Sequence, residues 1–321
     1  MHKQMFNPVA RELEMVEGNL NRTIDSEVEL LNQASMHLVK AGGKRLRPAF
    51  ALLAARFFLN NLEEVVPLAT ALELTHLASL VHDDVIDNST LRRGTYTVMH
   101  QWGNRASINA GNYIFARALT LSASYKRRDV LEVLADASMR ICEGEIFQMR
   151  SSYNVNVGLK NYLRRIERKT ALLISVSCKL GAMVGKANPV QIRALELYGY
   201  YLGMAFQVTD DILDFVADEG ILGKPTGSDI KQGVITLPAI YALHHSPDKE
   251  ELKELLASPL ACVSSSDRIL DIILDSDGVE YAYWVTDHFA CKARRQLDYL
   301  PDQPVKETLF EIADFISARE Y

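Results

Sequence analysis

Apolar residues recur at spacings of three and four along most of the chain, and that period predicts helix almost throughout. From Pro67 to about Asp87 the stripe is Leu68, Ala71, Leu74, Ala78, Val81 and Val85. Residues 8–40 are charged and amphipathic and read as two helices. Gly42-Gly43 breaks the chain. Pro48 then suits a first helical turn before Phe50, Leu53, Ala54 and Phe57, and Asn60-Asn61 ends that helix. Further helices are expected over about Arg105–Tyr125, Val130–Arg150, Leu159–Val184 (one or two), Ile192–Phe215, and through most of Leu237–Tyr321. Gly94 and Gly103 punctuate one loop; Gly220, Gly223, Pro225 and Gly227 mark another. Ser246-Pro247 reads as an N-cap and N1 pair, because serine accepts an orphan N–H and proline lacks one. There is no convincing period-two strand and no Asn-Gly or Asp-Gly hairpin signal. No linker or repeat divides the sequence. We read a single all-α domain over residues 1–321, of which 1–20 form an N-terminal extension or helix.

Composition narrows the function. With 321 residues and 48% hydrophobic content, the chain can bury an ample core and is not a disordered polymer. Lysine and arginine total 35 against 41 acidic residues, a formal charge of -6, which argues against a general nucleic-acid binder. Cys142, Cys178, Cys262 and Cys291 form no C-x-x-C pair and are expected as buried, reduced thiols. The first residues lack a basic-then-apolar signal, and no apolar run approaches the roughly 18–20 residues of a membrane span. The expectation is a soluble, cytoplasmic protein.

The sharpest chemistry is His82-Asp83-Asp84-Val85-Ile86-Asp87. On a helix Asp83 and Asp87 share a face. At about 6 Å and an effective dielectric near 20, each such like-charge pair costs roughly 3 kcal/mol before screening. With apolar flanks on both sides, a counterion is expected. The D-D-x-x-D spacing recurs at Asp210-Asp211-Ile212-Leu213-Asp214, with Gln207 on the same face as Asp210. One cluster could be a solvated acidic turn. Two matching copies in apolar helices favour metal binding, and oxygen-only ligands point to Mg²⁺, with Mn²⁺ as the alternative. Mg²⁺ keeps positions for phosphate oxygens, so a di- or triphosphate substrate follows. Candidate phosphate contacts are Lys44, Arg45 and Arg47 beside Gly42-Gly43, then Arg92-Arg93, then Lys169-Thr170. His76, two turns before Asp83, points to the same region. No P-loop sequence is present.

Together these residues resemble the trans-isoprenyl diphosphate synthase (polyprenyl synthetase) family. The motifs, in order, are Gly42–Pro48, Glu73–Gly94, Gly144–Gln148, Lys169-Thr170, Gly203–Asp214 and Gly223–Pro238. Several phrases, among them ALELTHLASLVHDDVID and FQVTDDILDF, are most similar to the catalytic large-subunit branch of bacterial hexaprenyl and heptaprenyl diphosphate synthases. The resemblance implies an orthogonal helical bundle around a deep central cavity, the isoprenoid synthase fold. It also implies head-to-tail condensation of isopentenyl diphosphate with an allylic diphosphate, farnesyl diphosphate being the expected primer, toward a quinone side chain. By motif, Asp83, Asp84, Asp87 and Asp210 hold Mg²⁺, three ions per site being expected, with Asp211 and Asp214 supporting the second wall. Arg92, Lys169 and Lys224 would contact the allylic diphosphate. Lys44, Arg47, His76 and Arg93 would hold isopentenyl diphosphate, and Thr170 and Gln207 would face the carbocation. A homodimer, or a heteromer with a small regulatory subunit, is implied. The chain departs from the family at Asn112, commonly Asp, and Val234, commonly Lys.

Ala78 and Ser79, one turn before the first aspartate, set the floor of the product tunnel in this family. Both are small. One helical turn rises about 5.4 Å, close to one isoprene unit, so a product of roughly C30 to C40 is expected, heptaprenyl favoured. Competing readings are a shorter-chain geranylgeranyl synthase, a non-catalytic partner subunit of the same fold, a terpene cyclase and a metal-dependent phosphohydrolase. Intact aspartates oppose the subunit reading. The isopentenyl-side set opposes the cyclase, and the second D-D-x-x-D opposes the hydrolase.

Overall fold

The structure, a computed structural model, describes residues 3–216 and 226–318. It is helical, as the period predicts. After a 3-10 turn at Lys3–Val9 come α1 (Ala10–Thr23), α2 (Glu29–Lys40), α3 (Leu46–Arg56) and α4 (Val66–Ile86). A two-stranded hairpin, β1 (Leu91–Arg92) and β2 (Thr95–Tyr96), leads into α5 (Val98–Ala123) and α6 (Arg128–Ser151). Next, α7 (Leu159–Ile166) runs through a π turn (Glu167–Ala171) into α8 (Leu172–Val184), and α9 (Pro189–Val216) follows. Beyond it lie α10 (Ser228–Lys231), α11 (Leu237–His245), α12 (Lys249–Leu256), α13 (Pro259–Ser264), α14 (Ser266–Leu274), α15 (Gly278–Gln296) and α16 (Pro304–Ser317).

The chain packs as two compact units interleaved in sequence. The first contains the chain up to Met139 together with Leu173–Gly199 and Gln296–Leu309. Its axis is α4, where Leu68, Leu72, Leu74 and Leu77 are fully buried. A helix apolar on every side belongs inside a core, and each such leucine contributes about 1.5–3 kcal/mol. α1, α3 and α5 pack on α4, and α2 packs on α5. Small residues set the spacing. A Cβ on Gly181 of α8 would lie 2.1 Å from the Ala51 carbonyl oxygen of α3. The second unit holds Arg140–Leu172 and the helices from Tyr200 through α15. Its core joins Tyr162, Ile166, Met204, Val208, Ile212, Ile240, Ile272 and Val285.

Local differences from the sequence reading have physical causes. Gly103 breaks helical geometry (φ 80°), yet Val98 onward is already helical, because Thr97 caps it by accepting the His100 N–H at 3.1 Å. Ser246 accepts the Asp248 N–H at 3.1 Å, but α12 begins only at Lys249. The serine–proline cap occurs instead at Ser258-Pro259, where Ser258 accepts the Ala261 N–H at 3.3 Å. The hairpin carried no Asn-Gly signal. Arg93 and Gly94 supply its two positive-φ positions, at 52° and 77°. All four cysteines are free, but only Cys178 and Cys262 are buried; Cys142 is exposed and Cys291 half-buried. Among the described residues no helix is long and apolar enough to cross a membrane.

Candidate active site

In the first unit, the carboxylates gather at the C-terminal end of α4. Asp83 is half-buried, Asp84 is 2% exposed, and Asp87 is the exposed C-cap. The burial expected for the Asp83/Asp87 pair is therefore corrected: solvent reaches Asp87, and the enclosed carboxylate is Asp84. Three aspartates at a helix C-terminus oppose its dipole, so this turn favours a cation. Asp84 has one within the protein: Arg92 Nε donates to its Oδ1 at 2.6 Å. Burial still raises the Asp84 pKa, outweighing the pull of Arg92.

The hairpin turn carries the arginines back over this region. Arg93 donates to the Gly42 carbonyl. A Cβ on Gly43 would lie 2.7 Å from the Arg93 guanidinium, and Gly42 has φ 73°, so the Gly42-Gly43 pair admits both the turn and the arginine. Lys44 is exposed on that turn, and Arg47 is half-buried. Desolvation pulls the Arg47 pKa down to about 10, with Glu73 opposing and Arg93 adding. Arg47 Nε is buried without a hydrogen-bond acceptor. Burial, then the charges of Arg47, Arg93, Arg92 and Arg45, hold His76 well below the usual histidine range. The pocket is a cationic cradle in which Glu73 is the carboxylate opposing Arg47 and Arg93.

Arg45 and Glu73 were not singled out as a pair from sequence. Buried Arg45 bonds Glu73 at 2.9 Å, Glu17 at 2.5 Å and the Val39 carbonyl at 3.2 Å. Its carbonyl accepts the Ala49 N–H at 3.1 Å, which ties it to the start of α3. Glu73, a lone acid in the apolar run of α4, was the available signal. Behind the aspartates, Gly111 of α5 lets His82 approach: a Cβ there would lie 2.4 Å from His82 Nε2. Ala78 is 2% exposed, and Ser79 is half-buried with its hydroxyl donating to the His76 carbonyl at 2.9 Å. Asn112 is exposed on α5.

In the second unit, the π turn carries Lys169 and Thr170. Such bulges recur at functional sites because the extra residue re-aims side chains. Lys169 Nζ donates to Gln148 Oε1 at 3.1 Å, and Thr170 Oγ1 donates to Gln207 Oε1 at 2.5 Å. On α9, Asp210 is exposed while Asp211 and Asp214 are buried. Asp211 accepts from Gln207 Nε2 and from the Tyr162 hydroxyl, each at 2.8 Å. Asp214 accepts from Ser228 Oγ at 2.8 Å and the Asp229 N–H at 3.0 Å. The second D-D-x-x-D thus divides by role: Asp210 faces solvent, and the other two are bonded inside the protein. Burial, then the charge of Asp229, raises the Asp211 pKa. Tyr162 was missed from sequence, although it belongs to the apolar stripe of α7. Val234 gives its N–H to the Asp229 carbonyl at 2.8 Å. Lys224 lies outside the described residues.

Among the described residues no three acidic, histidine or cysteine side chains converge as a ready-made metal cluster. In the first unit, exposed Asp87 with half-buried Asp83 fits Mg²⁺, and in the second so does exposed Asp210, because Mg²⁺ takes one or two carboxylates and completes its shell with water and phosphate oxygens.

The polyprenyl synthetase family model matches residues 28–273. Heptaprenyl diphosphate synthase component 2 of Geobacillus stearothermophilus is 43% identical, covering 99% of both chains. Its Bacillus subtilis namesake is 39% identical over 99% of this chain and 91% of its own. Among solved structures, heptaprenyl diphosphate synthase from Staphylococcus aureus aligns with a TM-score of 0.89 at 36% identity, covering 97% of this chain and 98% of that one. A polyprenyl synthase from Caulobacter crescentus, complexed with calcium and isoprenyl diphosphate, aligns with a TM-score of 0.91 at 33% identity, covering 99% and 97%. The chain belongs to the polyprenyl synthetase family.

Proposed function

We propose that the chain is a trans-polyprenyl diphosphate synthase of medium product length, heptaprenyl favoured, that supplies a quinone side chain. The observation that carries the reading is the cradle of Arg47, His76 and Arg93 beside the aspartates of α4, in which the buried Arg47 Nε has no acceptor. A buried guanidinium N–H without an acceptor is costly unless a substrate anion completes it. In this reading Lys44, Arg47, His76 and Arg93 bind isopentenyl diphosphate. Arg92, Lys169 and Lys224 contact the allylic diphosphate.

The family is magnesium-dependent in general. Asp83, Asp84, Asp87 and Asp210 would hold Mg²⁺, three ions per site by our reading, and Asp211 and Asp214 belong to the second wall. Bound Mg²⁺ neutralises the growing negative charge of the diphosphate leaving group. The side chains supply the rest. Fixed cations hold both diphosphates, Thr170 and Gln207 face the allylic cation, and apolar walls exclude water that would trap it. The double bond of isopentenyl diphosphate forms the new C–C bond as the allylic C–O bond breaks, and the proton lost goes to the departing diphosphate.

The companion we favour is a small second subunit, supported by the "component 2" names of two relatives. The test is incubation with labelled isopentenyl diphosphate, farnesyl diphosphate and Mg²⁺, with and without that subunit. Chain elongation abolished by chelator supports the reading, and elongation only with the subunit supports the heteromer. Absence of elongation under both conditions overturns the synthase assignment. Replacing Arg47 by leucine should remove a charged hydrogen bond of about 1.5–3 kcal/mol, raising KM for isopentenyl diphosphate roughly 10- to 150-fold.

A further inference from the structure

Asp211 stands in an aspartate motif, yet both its carboxylate oxygens are occupied inside the protein. Oδ2 accepts the Tyr162 hydroxyl and Oδ1 accepts Gln207 Nε2. Asp211 thus meets one donor at each of its carboxylate oxygens. It therefore fixes the direction of the glutamine amide, nitrogen toward Asp211 and oxygen toward Thr170. Gln207 Oε1 in turn draws the Thr170 hydroxyl proton to itself at 2.5 Å. Donation runs from Thr170 through Gln207 to Asp211, which the Tyr162 hydroxyl meets from the other side, and the oxygen lone pairs left over belong to Thr170 and Gln207.

We propose that Tyr162 and Asp211 are positioning residues that lock Gln207 and Thr170 with their oxygen lone pairs, rather than an N–H group, toward the allylic cation, and that Asp211 is not a metal ligand. The proposal rests on the prenyltransferase reading above. A flipped Gln207 would aim its amide hydrogens at Thr170 and oppose the positive charge that develops as the allylic C–O bond breaks. The surroundings are built to prevent the flip. Tyr162 is fully buried, and the Arg165 guanidinium lies 5.5 Å from its ring centroid. The π turn is held on α9 by close backbone packing, since a Cβ on Gly203 would lie 2.5 Å from Ala171 Cα. Asp210, exposed one residue earlier, remains as the carboxylate of this motif that can meet a metal.

The test uses the full chain under whichever condition supports wild-type elongation, with Tyr162→Phe, Asp211→Asn, Gln207→Leu and the Tyr162→Phe/Gln207→Leu double variant. Tyr162→Phe keeps the ring and removes one hydroxyl. We expect kcat to fall about 10- to 100-fold with KM for both diphosphates unchanged, the size expected for a misdirected reacting-site group. The Mg²⁺ concentration for half-maximal rate should stay at the wild-type value in Tyr162→Phe and Asp211→Asn. In the Gln207→Leu background, adding Tyr162→Phe should cost nothing further, because its route of action is gone. Three results overturn the proposal: full activity in Tyr162→Phe, a raised Mg²⁺ requirement in Asp211→Asn, or losses that multiply in the double variant. If Tyr162→Phe fails to fold, the Mg²⁺ requirement of Asp211→Asn decides. Elongation by the wild type beside an unaffected Tyr162→Phe sinks this inference alone. No elongation by the wild type sinks the reading beneath it.

Discussion

At the scale of single residues, His76 reports the arginines gathered around it in the first unit. Burial and the arginines around it keep His76 well below the usual histidine value of 6.5, with burial the larger cause. The sign of the pH effect follows. The unfolded chain takes up this proton as pH falls below 6.5, while the folded protein resists it, so stability is present above that value and is lost on acidification. Melting temperature should therefore fall from pH 7 toward pH 5, and more steeply in the wild type than in His76→Gln. Inorganic diphosphate should flatten the wild-type curve, because an anion in the cradle offsets the arginines. Parallel melting curves for the two proteins would remove His76 from the pocket. The same half-site shows what a single sequence can reveal. The aspartates, Arg47, Arg92 and Arg93 are legible because charges in an apolar context need partners. Which oxygen meets which nitrogen is not, so the Arg45–Glu73 lock and the Tyr162–Asp211 bond emerged only in three dimensions.

At the scale of elements, helices were legible because their period is strong, and junctions were not because they depend on tertiary fit. The hairpin at Leu91–Tyr96 is too short to show a period-two pattern, and the π turn is one residue of slack in a continuous helical stripe. That turn is sensitive to its neighbour. Gly203→Ala would place a methyl 2.5 Å from Ala171 Cα, backbone that cannot swing aside, and should cost about 1–3 kcal/mol. Because Lys169 and Thr170 ride on the turn, kcat should fall together with the melting temperature. Gly18→Ala, on α1 with nothing within 4 Å, is the control and should be neutral or stabilising by about 0.5–1 kcal/mol. A drop in melting temperature for both would locate the effect in helix propensity, not in the turn. On α4, Ser79 is half-buried and its hydroxyl bonds only its own helix, to His76. Ser79→Phe should therefore extend an aromatic ring from this turn and shorten the product; an unchanged product length by chromatography would take Ser79 out of the tunnel.

At the scale of the whole molecule, the formal charge of -6 acquires a location. Without the six aspartates of the two motifs, the 41 acidic residues would number the same as the 35 basic ones. The acid excess is thus matched by two helix turns, while the cations that meet phosphate are few and local. No described trio of side chains forms a metal cluster unaided, and the buried Arg47 Nε has no acceptor of its own. Metal and diphosphate should then depend on each other, and linkage requires the dependence to be mutual. Mg²⁺ alone should move the melting temperature little, because the screened carboxylates at the end of α4 offer an incomplete shell. Diphosphate alone should move it modestly through the arginines. Both together should raise it by more than the sum of the separate shifts, since each completes the other's contacts and stabilisation grows with binding to the folded state. Replacing Asp83 by asparagine should erase the excess while leaving the diphosphate-only shift intact. A full shift with Mg²⁺ alone, or strict additivity in the wild type, would show that metal and phosphate occupy independent sites and would break the link between the aspartates and the substrate.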